Sequence, residues 1–372
     1  MRNTLRNSIV GIAAIAALTS SAAAQDINYN FWIPPGETVI KDGFLPFKDA
    51  VTEETGGKAK FQVFTAGMMM GPFDTLPAIR DGGIQGGFIL AGFYRKELKH
   101  SAIFDDTISQ SLDPVATIGA TIETFNLNCP ECQAEFEEQN IIGLGGQSTA
   151  PYSLMCVPEV KTMKDIEGLR IRGSTAFHFS LINELGADGI NVPFPEIAQA
   201  FERGNIDCFL GGPTWIRAFG LLETIKYRVS SPTFGNLGAP AMLTFSRSEF
   251  DGWDQETKDS IIRNAPVFSA NSTLATIADA DGSEALAIAE GLKNVDLSAE
   301  MAEFMVGFRK TEAERLVASA VERGVDEAVV NRIVASYAEN YAAWEKLSAE
   351  IGTDHDKFVA ALNERVYSKI DF

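Results

Sequence analysis

The chain has 372 residues and a formal net charge of −19, from 31 Lys and Arg against 50 Asp and Glu. That length exceeds what one hydrophobic core usually covers, so two lobes are expected. So acidic a surface excludes nucleic acid and anionic lipid as partners and favours solubility, but it does not forbid a buried cationic pocket.

In chain order, Arg2 and Arg6 form a positive start, Ile9 to Leu18 an apolar stretch, and Ala22-Ala23-Ala24 a small-residue cleavage site before Gln25. This is the pattern of a cleaved signal peptide over residues 1–24, too short in its apolar part to span a bilayer and without a lipobox cysteine. A periplasmic location follows from it as an expectation. Ile27 to Ile33 reads as a strand that ends at Trp32 and the breaker Pro34-Pro35-Gly36. Ile40, Phe44, Phe47 and Val51 then recur at helical spacing up to Thr55-Gly56-Gly57. Lys60 to Phe64 is the next strand, Pro72 to Asp81 the next helix, and Ile84 to Leu90 a Gly-rich third strand that closes at Ala91-Gly92-Phe93-Tyr94. A second set of the same rhythm begins near residue 141. It has strands at Ile141–Gly145, Tyr152–Val157, Leu169–Arg172, Gly189–Val192 and Ile206–Leu210, and helices marked by Phe177, Leu181 and Leu185 and by Ile197 and Phe201. The fold class expected is α/β in two lobes, each a mixed sheet flanked by helices.

From about Thr257 the chain reads as long helices. Val330, Ile333, Tyr337, Tyr341 and Trp344 form an apolar stripe suited to packing on a larger body. The domains expected are the signal peptide, a first lobe of residues 25–148 with 237–280, a second lobe of 149–236, and a helical segment 281–372 packed across both.

Cys129 and Cys132 form a C-x-x-C that suits a local disulfide in an oxidising compartment. The helical segment before it does not suit a redox motif. Cys156 and Cys208 sit in apolar runs, as buried thiols or a second bridge. No second ligand pair for zinc stands at useful spacing, and His100, His178 and His355 are scattered. The serine-hydrolase elbow, the zinc-protease helix, the phosphate-binding loop and the dinucleotide fingerprint are all absent, so no enzyme and no cofactor is expected.

The most informative run is VKTMKDIEGLRIR, residues 160–172. It resembles the DLKGLKIR signature of the DctP family, the solute-binding proteins of tripartite ATP-independent periplasmic (TRAP) transporters. Residues 184–196 (ELGADGINVPFPE), 200–208 (AFERGNIDC) and 222–227 (LETIKY) are similar to further family segments in the same order. So are the first strand at Phe31 to Pro35 and the turn at Gly67 to Gly71, and the likeness runs from about residue 27 to 265. The resemblance implies a two-lobed, periplasmic binding protein-like clamp that closes over one small organic acid and works with a small and a large membrane subunit. It also implies that Arg172, which ends the signature, binds the ligand carboxylate. A guanidinium presents a planar fork that matches two carboxylate oxygens. Arg170, two residues earlier on the same strand, points to the opposite face and is expected to be structural.

Ligands of open α/β sheets lie beyond the carboxyl ends of the strands. That selects Trp32, Phe93 and Tyr94 in the first lobe, and Gln147, Phe194, Gly212, Thr214 and Trp215 in or beside the second. It also selects Phe234 and Asn236 at the return crossing. Aromatic residues among these would pack on the ligand, and Gln147, Thr214 and Asn236 would orient it. Many DctP-family members carry a second arginine in the strand-end loop that is Gln147-Ser148-Thr149-Ala150-Pro151 here. Its absence points away from a dicarboxylate and toward a monocarboxylate, a zwitterion whose cationic end stacks on rings, or a sulfonate. A monomer is expected. The alternatives within this reading are the binding subunit of an ATP-driven importer and a sensory ligand-binding protein.

Overall fold

The computed structural model describes residues 25–371, so the expected signal peptide lies outside the described residues. Its strands, in chain order, are β1 (Gln25–Asn30), β2 (Ala59–Phe64), β3 (Gly86–Gly87), β4 (Ile141–Ser148), β5 (Ser153–Cys156), β6 (Arg170–Gly173), β7 (Asp188–Asn191), β8 (Cys208–Gly211), β9 (Tyr227–Ser231), β10 (Gly238–Ser246) and β11 (Lys293–Asp296). They make a five-stranded sheet of order β2-β1-β3-β10-β4 and a six-stranded sheet of order β11-β9-β5-β8-β6-β7. In both, parallel pairs built by strand–helix–strand units adjoin antiparallel ones. β1 runs parallel to β2 and β3 while β10 runs antiparallel to β3 and β4, and β6 runs parallel to β7 and β8 while β5 runs antiparallel to β8 and β9. The expected mixed sheets flanked by helices are therefore present, one in each lobe.

Each lobe has its own core. Tyr29, Phe31, Phe44, Phe104 and Trp344 lie in the first, and Leu154, Ile171, Phe177, Phe209 and Ile216 in the second. The chain passes between lobes at β4 to β5 and returns at β9 to β10. These two crossings are tied to each other by Thr149 N–H to Leu237 O (2.9 Å) and Tyr152 N–H to Gly235 O (2.7 Å). A third connection is the 35-residue helix Gln255–Ala289. At 1.5 Å per residue it is about 52 Å long, enough to start on the first lobe and finish on the second. Ile261 and Phe268 enter the first core and Ala287 the second.

Two expectations are corrected. The third strand is not Ile84 to Leu90, since only Gly86 and Gly87 pair with β1 and β10. The Tyr29 ring lies across this point, and a Cβ on Gly86 would stand 2.7 Å from it and 2.8 Å from Thr244 O. The glycines that make the close approach possible also supply no side chains to extend the strand. Nor is the chain after Thr257 all helix. Lys293–Asp296 is a strand that pairs in parallel with β9 at the edge of the second sheet. Its burial is slight, so no apolar period announces it. Leu292, Leu297, Met301, Met305 and Phe308 enter the second core, whereas Val330, Ile333, Tyr337, Trp344, Phe358 and Leu362 enter the first.

Cys129–Cys132 and Cys156–Cys208 are both disulfides. The second joins residues that face each other across β5 and β8, which explains the two cysteines in apolar runs.

The C-terminal aromatic stripe serves packing. Trp344, on helix Glu327–Ile351, is fully buried against helix Pro114–Glu123, and its indole N–H donates to Glu123 Oε2 (2.7 Å). Arg365 closes the same carboxylate with two bonds of 2.8 Å. Trp344→Ala should destabilise the chain by about 3–5 kcal/mol, read as an earlier midpoint in urea unfolding, because it leaves both a cavity and an incompletely bonded carboxylate. Ligand affinity of the protein that remains folded should be unchanged.

Candidate functional site

The carboxyl ends of β1, β6 and β8 point into a cleft between the lobes. It holds about 890 Å³ of atom-free space, its open mouth included. Arg172 occupies the centre of the second-lobe wall. β6 lies between β7 and β8, away from the edges of its sheet. Arg172 is 1 % exposed. Its Nε donates to Val192 O (3.0 Å), while Nη1 has no partner. The guanidinium carbon stands 5.9 Å from the ring centroids of both Phe194 and Trp215. Burial pulls its pKa down to about 10, which leaves it charged at neutral pH. Arg170 turns to the opposite face of the same strand. It is held there by Asp207, with Nε at 2.9 Å and Nη2 at 2.6 Å from that carboxylate.

The aromatic walls come from both lobes. The Trp32 indole N–H donates to Phe88 O (3.1 Å), which fixes the ring. Phe93 meets it edge-on at 5.4 Å, and Phe194 reaches it from the other lobe at 6.2 Å. Phe194 and Trp215 are 4.6 Å apart and perpendicular. Trp215 can lie flat over the end of β8 only because Gly211 has no Cβ, since one would stand 2.2 Å from the indole. Gln147 lines the cleft, but its amide N–H groups donate to Thr38 Oγ1 (3.0 Å), Ser272 O (3.1 Å) and the Thr276 hydroxyl. They brace the floor against the long helix.

Arg172, Trp32, Phe93, Gln147, Phe194, Thr214 and Trp215 therefore come together around one space. The remaining sequence candidates stand elsewhere. The Tyr94 hydroxyl is used by Pro72 O and Leu76 N–H within the first lobe. Phe234 is wholly inside the second core. Asn236 donates to Thr117 Oγ1 (2.8 Å) and Ser148 Oγ (2.7 Å) beneath the crossing. The Gly212 carbonyl starts the short helix Thr214–Ala218 by accepting from Trp215 N–H (3.1 Å).

Sequence reasoning missed Glu37, Asp105, Tyr152, Ser174 and His178, which also line the cleft. His178 lies one turn into helix Ala176–Glu184, which follows β6, and is 1 % exposed. Extending the strand-end rule by one helical turn would have found it. Its Nδ1 accepts from Ser174 N–H (3.3 Å), which leaves the proton on Nε2, and Nε2 has no partner. Burial first, and then the Arg172 charge, pull its pKa down to about 3, so the ring is neutral. Tyr152 stacks on that ring at 5.6 Å, and burial pushes its hydroxyl up to about 12. Asp105 belongs to a run of 3₁₀ turns without helical or strand period, so no sequence signal marked it.

The model of the DctP family, bacterial extracellular solute-binding protein family 7, matches residues 32–310. Solved structures agree in fold. A TRAP solute-binding protein of Rhodoferax ferrireducens with copurified benzoate superposes with a TM-score of 0.76 at 18 % identity, over 87 % of this chain and 99 % of that one. A marine metagenome TRAP solute-binding protein specific for aromatic acids gives 0.74 at 20 % identity over 86 % and 99 %. A Bordetella pertussis extracytoplasmic solute receptor that binds pyroglutamic acid gives 0.71 at 16 % identity over 84 % and 99 %. With a family match over most of its length and the matching two-lobed architecture around a closed cleft, this chain belongs to bacterial extracellular solute-binding protein family 7 and is a solute-binding protein, not an enzyme.

Proposed function

We propose that the protein is the periplasmic receptor of a TRAP transporter. In this reading it is exported through a cleaved signal peptide, captures a small organic acid through its one carboxylate, and presents its closed form, as a monomer, to the membrane subunits. The observation that carries the ligand reading is the buried Arg172 guanidinium with an unpaired Nη1 in the wall of the cleft. An uncompensated buried charge costs several kcal/mol, and a ligand carboxylate offsets that cost with charge-assisted hydrogen bonds. The neutral His178, with a free Nε2–H beside the guanidinium, suits the same anion as a second donor. The structural neighbours support this size and charge class, since benzoate and pyroglutamic acid are compact acids with one carboxylate.

The mechanism is a hinge. A ligand that touches Arg172 on one lobe and the Trp32 and Phe93 walls on the other makes its full set of contacts only when the lobes are together. It therefore shifts the population toward the closed form by its differential affinity for that form. The paired crossings at Thr149–Leu237 and Tyr152–Gly235 are short enough to act as the pivot.

Arg172→Ala should weaken binding of the best carboxylate ligand by about a hundredfold or more in isothermal titration calorimetry, the range seen when one partner of a buried charge pair is removed. The unliganded variant should unfold at the same temperature as the parent or higher, because an unpaired buried charge has been removed. Equal affinity in the two proteins would sink the reading.

His178 carries a pH signature. Its pKa falls from 6.5 to about 3 on folding, so the unfolded chain takes up the proton first. Its contribution to stability is complete above about pH 6.5 and is lost as the pH falls toward 3. His178→Asn should therefore lose less stability than the parent between pH 6.5 and pH 4, compared by urea unfolding at matched ionic strength.

A further inference from the structure

The cleft wall on the first lobe contains two carboxyls that the carboxylate site does not use. Asp105 is 3 % exposed; its Oδ2 accepts from Gly92 N–H, and its Oδ1 has no partner. The neighbouring guanidiniums turn toward Asp106, and Arg323 keeps Nε and Nη2 without a partner. Arg95 places two hydrogen bonds of 3.0 Å on Asp106, and Arg323 approaches the same Asp106 at 3.2 Å. Glu37 has a buried Oε1 without a partner, and the nearby Arg217 is paired to Asp279. Each acid thus keeps one carboxyl oxygen without a donor. Burial pushes both up to about 7, with Asp279 adding to the rise at Glu37 and Arg95 opposing it at Asp105. Arg172, Tyr152, Asp105 and Glu37 line the same cavity, and the charges of both Arg172 and Asp105 act on the Tyr152 hydroxyl.

A plain carboxylate would satisfy Arg172 and leave both acid oxygens without a donor, at the usual cost of an unmade buried hydrogen bond. It would also bring a third negative group among them. A protonated nitrogen at the far end of the ligand removes both penalties, and the faces of Trp32, Phe93 and Phe194 suit a cation as well as an apolar body. Resting on the carboxylate site proposed above, we infer that the ligand is a small zwitterion, its carboxylate on Arg172 and its protonated nitrogen directed at Asp105 and Glu37.

The test is calorimetry with a panel of amino, imino and amidine carboxylates, each paired with its carbocyclic acid of the same shape, such as proline with cyclopentanecarboxylate. The tightest zwitterion should bind about ten- to a hundredfold more tightly than its partner acid, the range of a hydrogen bond to a charged group. Asp105→Asn and Glu37→Gln should each shrink that ratio, by weakening the zwitterion and by strengthening the carbocyclic acid, which no longer meets a negative neighbour. Titrations at pH 7 in buffers of different ionisation enthalpy should show proton release with the zwitterion, because a cation holds carboxyls with pKa near 7 ionised. Carbocyclic acids that bind as tightly as their zwitterions, or a preference untouched by both substitutions, overturn this inference. If such acids still depend on Arg172, the carboxylate site stands without it. If neither class binds, both readings fall.

Discussion

A guanidinium held inside a protein without a carboxylate to neutralise it is the constraint on which this molecule turns. Arg172 is fixed by one hydrogen bond to Val192 O and by two aromatic faces, none of which cancels a full charge. In bulk water the charge would be nearly indifferent to its neighbours. In the low dielectric of a closed cleft it dominates the choice of partner. The other features of the site accommodate that charge. His178 stays neutral beside it, and Arg170 on the other face is neutralised by Asp207 and so adds no second cation to the cleft.

The hinge proposed for this protein rests on the way the lobes are joined. Two antiparallel crossings make a narrow pivot, and the long helix Gln255–Ala289 runs from one core to the other. Contacts across the cleft are few. Trp32 meets Phe194, and Arg217 meets Asp279 of the long helix. Such contacts are worth about 1 kcal/mol each, so they add little that would lock the lobes together. Behind the pivot, Arg309 donates to Ser109 O and Thr233 O, each at 2.9 Å. The helix Ser298–Glu322 thereby holds the rear of both lobes while the front is free to open.

The parts of the site legible in the sequence share one property: they sit at strand ends or follow them directly. Arg172, Trp32, Phe194, Thr214 and Trp215 obey that rule because a parallel sheet delivers its carboxyl ends to one edge. Tyr94, Phe234 and Asn236 satisfy the same rule and still point away. The rule specifies where the backbone arrives but not which way a side chain turns, and in each case a nearby group or core captured the side chain. Asp105 and Glu37 were invisible for the opposite reason. They stand on irregular backbone whose path depends on the lobe beneath it, and an acid in an acidic chain carries no signal of its own.

By itself the sequence determined the two-lobed α/β architecture, most of the elements in each lobe, the family, and the strand-end position of Arg172. Those follow from periodicity, breakers and a signature run, which are local along the chain. Only the tertiary structure decided that Gly86 and Gly87 must thin a strand to let Tyr29 pass, and that Lys293–Asp296 completes the second sheet at its edge. It alone set the pairing of Cys156 with Cys208, and placed two carboxyls with unpaired oxygens in the same cleft as the arginine. Each of these depends on which atoms become neighbours across long sequence distances, and burial, which sets their charges and hydrogen bonds, does not exist until the lobes have formed.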